Sequence, residues 1–261
     1  MSTTRSIRSL LPALLLPLVA LTAACGGSSS DPTAAAPASA PAPAATAPST
    51  IAPTVSTTTV ADPDVTLVAR PAGDTAVFAS PADAQLAQVL PATSEFGSAL
   101  ALVVVDDDTD GWLQVQLPTR PNESTGWIRA DDVEVREVTL AVHVDVAARR
   151  LVVTDGDAVV LEAPVAVGAP GTPTPTGTFF VVDKLVTGND AGPYGPFALG
   201  LSAHSEVLTE FAGGDGQVGI HGTNDPSSIG NDVSNGCVRV PNDITVQLND
   251  LLPLGTPVTV A

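Results

Sequence analysis

From residue 65 onward, this chain is built from short apolar runs that end at turn residues. Runs such as "ALVVV", "WLQVQL" and "RLVV" are each followed closely by Asp, Pro or Gly. Such runs are shorter than ordinary helices, and several alternate between apolar and polar side chains, which is typical of strands. The sequence therefore predicts a mostly β fold with one or two short helices.

Two segments predict those helices. "SEVLTEFAG" is expected to form a helical turn that begins at Ser205 as its N-cap. "PNDITVQLNDLLPLG" is expected to form a helix capped by Asn242 or Asp243 and stopped by Pro253 and Gly255.

The first 25 residues have the pattern of an export signal. Two arginines precede the apolar run "LLPALLLPLVAL", and small residues follow it. The alternative, a transmembrane anchor, is disfavoured because about a dozen apolar residues cannot span ~30 Å of hydrocarbon. The ending "LTAAC" resembles a bacterial lipoprotein signal, although Thr22 stands where that family usually has Leu, Val or Ile. This resemblance implies a lipid on Cys25 that holds the protein at a membrane.

Residues 26–63 are nearly all Ala, Pro, Ser, Thr and Gly. Such a composition buries too little apolar surface to fold, so these residues are expected to form a disordered linker. The net charge is −18, and loss of the signal with Arg5 and Arg8 would make it −20. Nucleic-acid binding needs a basic surface, so nucleic acid is not an expected partner.

The remaining residues divide into two predicted domains, 64–137 and 138–261. In the first, "GWLQVQL" and "STGWIRADDV" resemble bacterial SH3-like domains, in which a "GW" opens each of two adjacent strands. Trp112 and Trp127 could then form a ligand groove. Alternatively, they fill the core of a small barrel that has few other aromatic residues.

The second predicted domain holds the residues best suited to chemistry. If Cys25 carries a lipid, Cys237 is the one remaining thiol in the chain, and an unpaired cysteine in an exported protein suggests a reactive group. His221 lies sixteen positions before it, at the end of an apolar run. A histidine can take the thiol proton and so activate the sulfur for attack.

Backbone amides near the cysteine could stabilise the oxyanion that forms on attack. Asn235, Gly236 and Cys237 supply three such amides, and glycine permits unusual backbone angles at this turn. Two alternatives stay open from the residues alone. Cys237 could be a buried structural residue, or it could bind zinc, although the segment supplies too few ligands for that metal.

The order "IHGTN", "SIG", "SNGCVRV" and "GTPV" resembles the YkuD-type L,D-transpeptidases over residues 138–261. The resemblance implies a β-sandwich-like catalytic domain with Cys237 as nucleophile and His221 as general base. Ser234, Gly236 and Arg239 fall on the flanking motif positions, and Arg239 could orient the loop or a substrate carboxylate. Asn235 stands where this family commonly has a second histidine.

Weaker site predictions fall on the segments beside this motif. Tyr194, in the Gly/Pro-rich stretch "GNDAGPYGPFALG", could line a donor site under a lid-like loop. His204, Gly222 and Thr223 are further candidates for contact with the substrate. No metal or organic cofactor is expected.

The resemblance implies acyl transfer between peptidoglycan stem peptides through a thioester, which produces 3→3 cross-links. The implied partners are a donor tetrapeptide and an acceptor amine, and the implied location is the outer face of the cytoplasmic membrane. Two other hypotheses remain. The protein could be an inactive wall-binding lipoprotein, because of Asn235, or a carboxypeptidase that uses water as the acceptor.

Overall fold

A computed structural model of the chain describes residues 65–82, 84–107 and 109–261. The predicted export signal with Cys25 and the linker over residues 26–63 lie outside the described residues and stay predictions. The described residues form seventeen β-strands, one α-helix and two 3-10 turns, which confirms the mostly β fold class. In this part of the chain, no helix has the length and apolar character needed to cross a membrane.

The first seven strands form one antiparallel sheet in the order β3-β2-β6-β5-β4-β1-β7. Their bounds are β1 Thr66–Pro71, β2 Thr75–Phe78, β3 Leu86–Leu90, β4 Leu102–Asp106, β5 Trp112–Gln116, β6 Thr125–Arg129 and β7 Val133–Val138. The 3-10 turn Ala130–Asp132 joins β6 to β7. Three consecutive strand pairs are neighbours in this sheet, namely β2 with β3, β4 with β5 and β5 with β6, and Gly, Asp, Asn and Pro occur in the segments that connect them.

The two tryptophans of this sheet lie outside its fully buried core. Trp112 and Trp127 are half-buried on the adjacent strands β5 and β6, whereas the buried core of this sheet consists of aliphatic side chains and Phe180. The Trp112 ring contacts Phe78 edge-on at 5.2 Å between ring centroids, and the Arg129 guanidinium lies 4.4 Å from the Trp112 centroid. The SH3-like assignment and its ligand groove stay predictions.

The second sheet has eight strands in the order β10-β9-β8-β17-β12-β13-β14-β16. Its bounds are β8 Leu140–Asp145, β9 Arg150–Asp155, β10 Ala158–Pro164, β12 Gly177–Val186, β13 Phe197–His204, β14 Gln217–His221, β16 Val238–Arg239 and β17 Pro257–Val260. A separate parallel pair joins β11, Val167–Gly168, to β15, Asp232–Ser234, and a 3-10 turn spans Pro226–Ser228.

The single helix of the described residues, α1 (Asn242–Leu251), packs against β13 and β14. It buries Thr245 and Leu248, and Leu248 joins the aliphatic core of the second sheet. Its end before Pro253 and Gly255 confirms that prediction. The predicted cap is wrong, because Pro241 occupies the N-cap position and no side chain caps the helix.

The helical turn predicted at residues 205–213 is also wrong. The Ser205 hydroxyl accepts hydrogen bonds from the N–H groups of Val207 and Leu208, which makes a local turn instead. The Arg120 side chain donates to the carbonyls of Ser205 and Leu208, so carbonyls that a helix would pair internally are satisfied by a residue of the loop between β5 and β6.

Strand β12 links the two sheets because its alternate side chains enter different cores. Phe179 packs in the core of the second sheet, and its neighbour Phe180 packs in the core of the first. Asn122 adds a polar connection, since its side chain pairs with both backbone polar groups of His204 at 2.8 Å each. Both sheets lie in one compact unit of the chain, and the boundary between predicted domains at residues 137 and 138 stays a prediction.

Candidate active site

The parallel pairing of β14 with β16 brings His221 and Cys237 together. Ile220 lies opposite Val238, and His221 lies opposite Arg239. Cys237, one position before β16, therefore falls beside Gly219, on the same face of the sheet as His221. Strand spacing puts the Cα atoms of His221 and Cys237 about 8 Å apart, a separation that two inclined side chains can bridge.

A tight turn over residues 234–237 holds the cysteine in place. The buried Ser234 hydroxyl donates to the Cys237 carbonyl at 2.5 Å and accepts from the Gly236 N–H at 3.1 Å. The Ser234 carbonyl accepts from the Thr172 hydroxyl at 3.0 Å and from the Ala169 N–H at 2.9 Å. Ser234 thus fixes the turn internally and joins it to the segment that follows β11.

The Gly236 backbone explains why glycine precedes the cysteine. Its φ angle is +114°, in a region that residues with a side chain rarely adopt. Because the Gly236 N–H already donates to Ser234, it is committed to the turn. The amides of Asn235 and Cys237 are therefore the stronger candidates among the three predicted oxyanion donors.

The His221 ring is buried and held in one tautomer. Its Nδ1 lies 2.6 Å from the Gly222 carbonyl, which can only accept, so Nδ1 carries the hydrogen. The lone pair consequently lies on Nε2. Burial lowers the pKa of His221 from 6.5 to about 4; the bond to Gly222 opposes this change and the charge of Arg239 adds to it. The ring is therefore neutral at neutral pH and can act as a base.

Cys237 is half-buried and has no disulfide partner among the described residues. Burial raises its pKa above the ordinary value, while a backbone hydrogen bond from Gly219 and the charge of Arg239 act in the opposite direction. Both Cys237 and His221 are thus neutral before reaction. A neutral imidazole in this position can accept a thiol proton.

Arg239 is the positive charge of this site. It lies opposite His221 in the sheet, and its charge lowers the pKa values of His221, Cys237 and Tyr194. Its Nε is buried and has no hydrogen-bond partner among the described residues. An unpaired guanidinium N–H suits a carboxylate.

Tyr194 covers the histidine from the loop between β12 and β13. The two rings meet edge-on with their centroids 4.8 Å apart, and Tyr194 is 39% exposed. Burial raises the pKa of the Tyr194 hydroxyl, and a charged Cys237 would raise it further. The predicted lid-like loop therefore reaches the site and shields one side of the imidazole.

Asn242 is a site residue that sequence reasoning treated only as a helix cap. Its side-chain oxygen accepts from the Thr223 N–H at 2.7 Å, and its side-chain nitrogen donates to the Asp190 carbonyl at 3.2 Å. It therefore ties the loop that carries Tyr194 to the segment after His221. A Cβ on Gly222 would lie 2.3 Å from the Asn242 oxygen, so the close contact requires glycine there. No local sequence signal identifies this role, because Thr223 and Asp190 are 19 and 52 positions away in the chain.

The other predicted substrate residues have different surroundings. Gly222 receives the His221 hydrogen bond, and the Thr223 N–H and hydroxyl are both used within the protein. His204 lies at the far end of β13, whereas Ala198 near its start pairs with His221. Six strand residues separate the two positions by about 20 Å, so the structure does not bring His204 to this site. Among the described residues, no group of three metal-ligating side chains is found.

Comparison with known proteins identifies the part of the chain that contains His221 and Cys237. Residues 139–260 match the YkuD family model, described as the L,D-transpeptidase catalytic domain. The YkuD protein of Bacillus subtilis (strain 168), named as an L,D-transpeptidase, is 36% identical over 119 residues, which are 46% of this chain and 64% of the relative. The YqjB protein of the same organism is 36% identical over 107 residues, 37% of this chain and 56% of the relative.

Solved structures with some likeness carry the same family name. A variant of the Enterococcus faecium L,D-transpeptidase is 26% identical, covers 47% of this chain and 49% of its own, and has a TM-score of 0.36. An L,D-transpeptidase from Mycobacterium smegmatis is 18% identical, covers 63% and 91%, and has a TM-score of 0.38. The chain spans less than two thirds of the curated relatives that it matches, and its residues 139–260, which include His221 and Cys237, are similar to the YkuD family of L,D-transpeptidase catalytic domains.

Proposed function

We propose that this protein is a cell-wall L,D-transpeptidase that forms 3→3 cross-links through a thioester on Cys237. The observation that carries the proposal is the placement of a neutral histidine and a thiol on one face of two paired strands. The family match over residues 139–260 supplies the reaction class.

The first half-reaction transfers the donor acyl group to the enzyme. The Cys237 sulfur attacks the carbonyl of the third stem residue, and His221 Nε2 takes the thiol proton. The oxyanion is stabilised by backbone amides of the 234–237 turn. As the C–N bond breaks, the imidazolium gives that proton to the departing D-alanine, and a thioester remains.

The second half-reaction transfers the acyl group to an acceptor. An amine on the third residue of a neighbouring stem attacks the thioester, and His221 accepts the amine proton and returns it to the sulfur. Arg239 is suited to hold a stem carboxylate beside the thioester, because its buried Nε has no partner among the described residues. Cys237 is then free for another cycle.

Asn235 does not weaken this proposal, because its side chain is exposed and Ser234 makes the bonds that shape the turn. The catalytic proton needs one base, and His221 supplies it. The inactive wall-binding alternative therefore loses the feature on which it depended.

We further propose that the mature chain is exported and anchored through a lipid on Cys25, with residues 26–63 as a spacer. An SH3-like domain over residues 64–137 would then lie between this spacer and the catalytic domain. The support for both is the sequence pattern alone.

The function is tested by analysing products from purified stem tetrapeptides by liquid chromatography and mass spectrometry. We expect a cross-linked dimer joined between third residues, together with free D-alanine. The Cys237→Ala variant should give neither product. Tripeptide with free D-alanine and no dimer would replace the transpeptidase proposal by a carboxypeptidase, and no turnover by folded protein would favour the wall-binding alternative.

The pH dependence of acylation should reflect the buried histidine. Because the pKa of His221 is lowered to about 4, the acylation rate should stay level from neutral pH to well below 6.5 and halve near pH 4. The same shift destabilises the fold as the pH falls from 6.5 towards 4, since the unfolded chain binds that proton first. Stopped-flow kinetics measure the acylation rate at each pH, and near-UV circular dichroism at the same pH measures how much of the protein is folded. An acid limb centred near 6.5 in folded protein would contradict the buried, neutral base.

Replacement of Asn242 by alanine should loosen the loop that carries Tyr194. Loss of both side-chain hydrogen bonds should speed amide hydrogen exchange over residues 187–196 and slow acylation about tenfold through misplacement of the site. Asn249→Ala is the matched control, because Asn249 lies on the same helix and its side-chain nitrogen contacts only Asp250, at 3.4 Å. Equal exchange and equal rates in the two variants would rule out a positioning role for Asn242.

A further inference from the structure

A tight turn flanks β16 on the side away from β14. Strand β16 pairs with β14 along one edge, and along its other edge Arg239 exchanges two backbone hydrogen bonds with Ala166, at 2.8 Å each. The chain then turns back through "APGT", residues 169–172, where the Thr172 N–H donates to the Ala169 carbonyl at 2.8 Å. Proline and glycine at the centre are typical of tight turns. Because a strand has two edges, β16 lies between β14 and the segment that contains this turn.

Both ends of this turn bind the same acceptor, which is the carbonyl of Ser234. The Ala169 N–H donates to it at 2.9 Å and the Thr172 hydroxyl at 3.0 Å. The Ser234 hydroxyl donates to the Cys237 carbonyl at 2.5 Å. Hydrogen bonds through Ser234 therefore connect Thr172 to the residue that carries the thiol.

The segment around Thr172 is stiff, so it can serve as a fixed support. Prolines occupy three of the six positions 170–175, and each proline fixes one backbone angle. The Thr174 hydroxyl accepts from the Gly168 N–H at 2.8 Å, which holds the returning chain in place. Thr172 itself is β-branched, so its side chain has few rotamers. Its hydroxyl is therefore held at Ser234 before any substrate binds.

The fold does not require the Thr172 hydroxyl for its hydrogen-bond balance. The Ala169 N–H alone satisfies the Ser234 carbonyl. Thr172 is half-buried, so no fully buried polar group is left unpaired when its hydroxyl is removed. Loss of the hydroxyl should therefore have little effect on stability, and its contribution should be to the precision of the turn.

We propose that Thr172 is a positioning residue, which orients the Asn235 N–H towards the reacting carbonyl by holding the Ser234 carbonyl. The Ser234–Asn235 peptide bond is trans and planar, so its N–H points away from its C=O. Two donors fix the C=O, and they thereby fix the N–H, which is a candidate oxyanion donor. The effect on rate rests on the proposed role of Cys237, whereas the hold on the turn can be measured without catalysis.

The kinetic test compares three variants of the full chain. Thr172→Val replaces the hydroxyl by a methyl group, Thr172→Ser keeps the hydroxyl, and Thr176→Val is the matched control at an exposed position of the same segment. Stopped-flow kinetics measure acylation by imipenem over a range of concentrations. We expect Thr172→Val to lower the maximal rate about tenfold and to keep the half-saturating concentration within about twofold, because oxyanion donors act in the transition state. The other two variants should keep the native rate.

Amide hydrogen exchange, measured by NMR, separates failure of this inference from failure of the proposed function. Thr172→Val should speed exchange several-fold at Ala169 and Gly236, whose N–H groups both donate to Ser234, and Thr172→Ser should not. If the native chain is not acylated but exchange responds in this way, the role of Cys237 is contradicted and the hold on the turn is supported.

Three results would overturn the proposal. The first is unchanged exchange at Ala169 and Gly236 in Thr172→Val. The second is a native maximal rate in that variant, or a change in the half-saturating concentration alone, which would indicate contact with the substrate. The third is failure of Thr172→Val to fold, as shown by near-UV circular dichroism, because the hydroxyl would then be structural.

Discussion

The parallel pairing of β14 with β16 is the constraint on which the candidate site depends. It puts His221 opposite Arg239 and brings Cys237, sixteen positions later in the chain, to the same face of the sheet. A slip of one residue would turn Cys237 to the other face and separate it from the imidazole. Ser234 secures the register locally, because its hydroxyl closes the turn before β16 onto the Cys237 carbonyl.

The surroundings of this pair determine how it can react. Burial lowers the pKa of His221 and raises that of Cys237, so the pair is neutral at neutral pH, and the proposed attack requires transfer of the thiol proton to the imidazole. The charge of Arg239 opposes the rise in the Cys237 pKa, and the Arg239 Nε has no hydrogen-bond partner among the described residues. The Tyr194 ring packs against the imidazole, and the Asn242 side chain holds the loop that carries Tyr194 in place through two hydrogen bonds. The site therefore consists of the paired strands β14 and β16, covered on one side by the loop between β12 and β13.

The sequence predicts those structural elements that are determined by neighbouring residues in the chain. Short runs with turn residues predicted strands, and Pro253 and Gly255 predicted the end of α1. His221 and Cys237 were identified by residue type and by resemblance to a family. Other features depend on partners distant in the chain. Arg120 satisfies carbonyls near Ser205, where no helix forms, and Asn242 bonds to Asp190 rather than capping the helix. No pattern within one segment could reveal such contacts.

Intact mass spectrometry after incubation with imipenem, a carbapenem acylating agent, tests the nucleophilic role of Cys237 most directly. Because the chain has two cysteines, Cys25→Ala and Cys237→Ala form a matched pair of variants. We expect a mass gain of one inhibitor on the full chain and on Cys25→Ala, and none on Cys237→Ala. Absence of an adduct on folded full chain, or an adduct retained by Cys237→Ala, would contradict it.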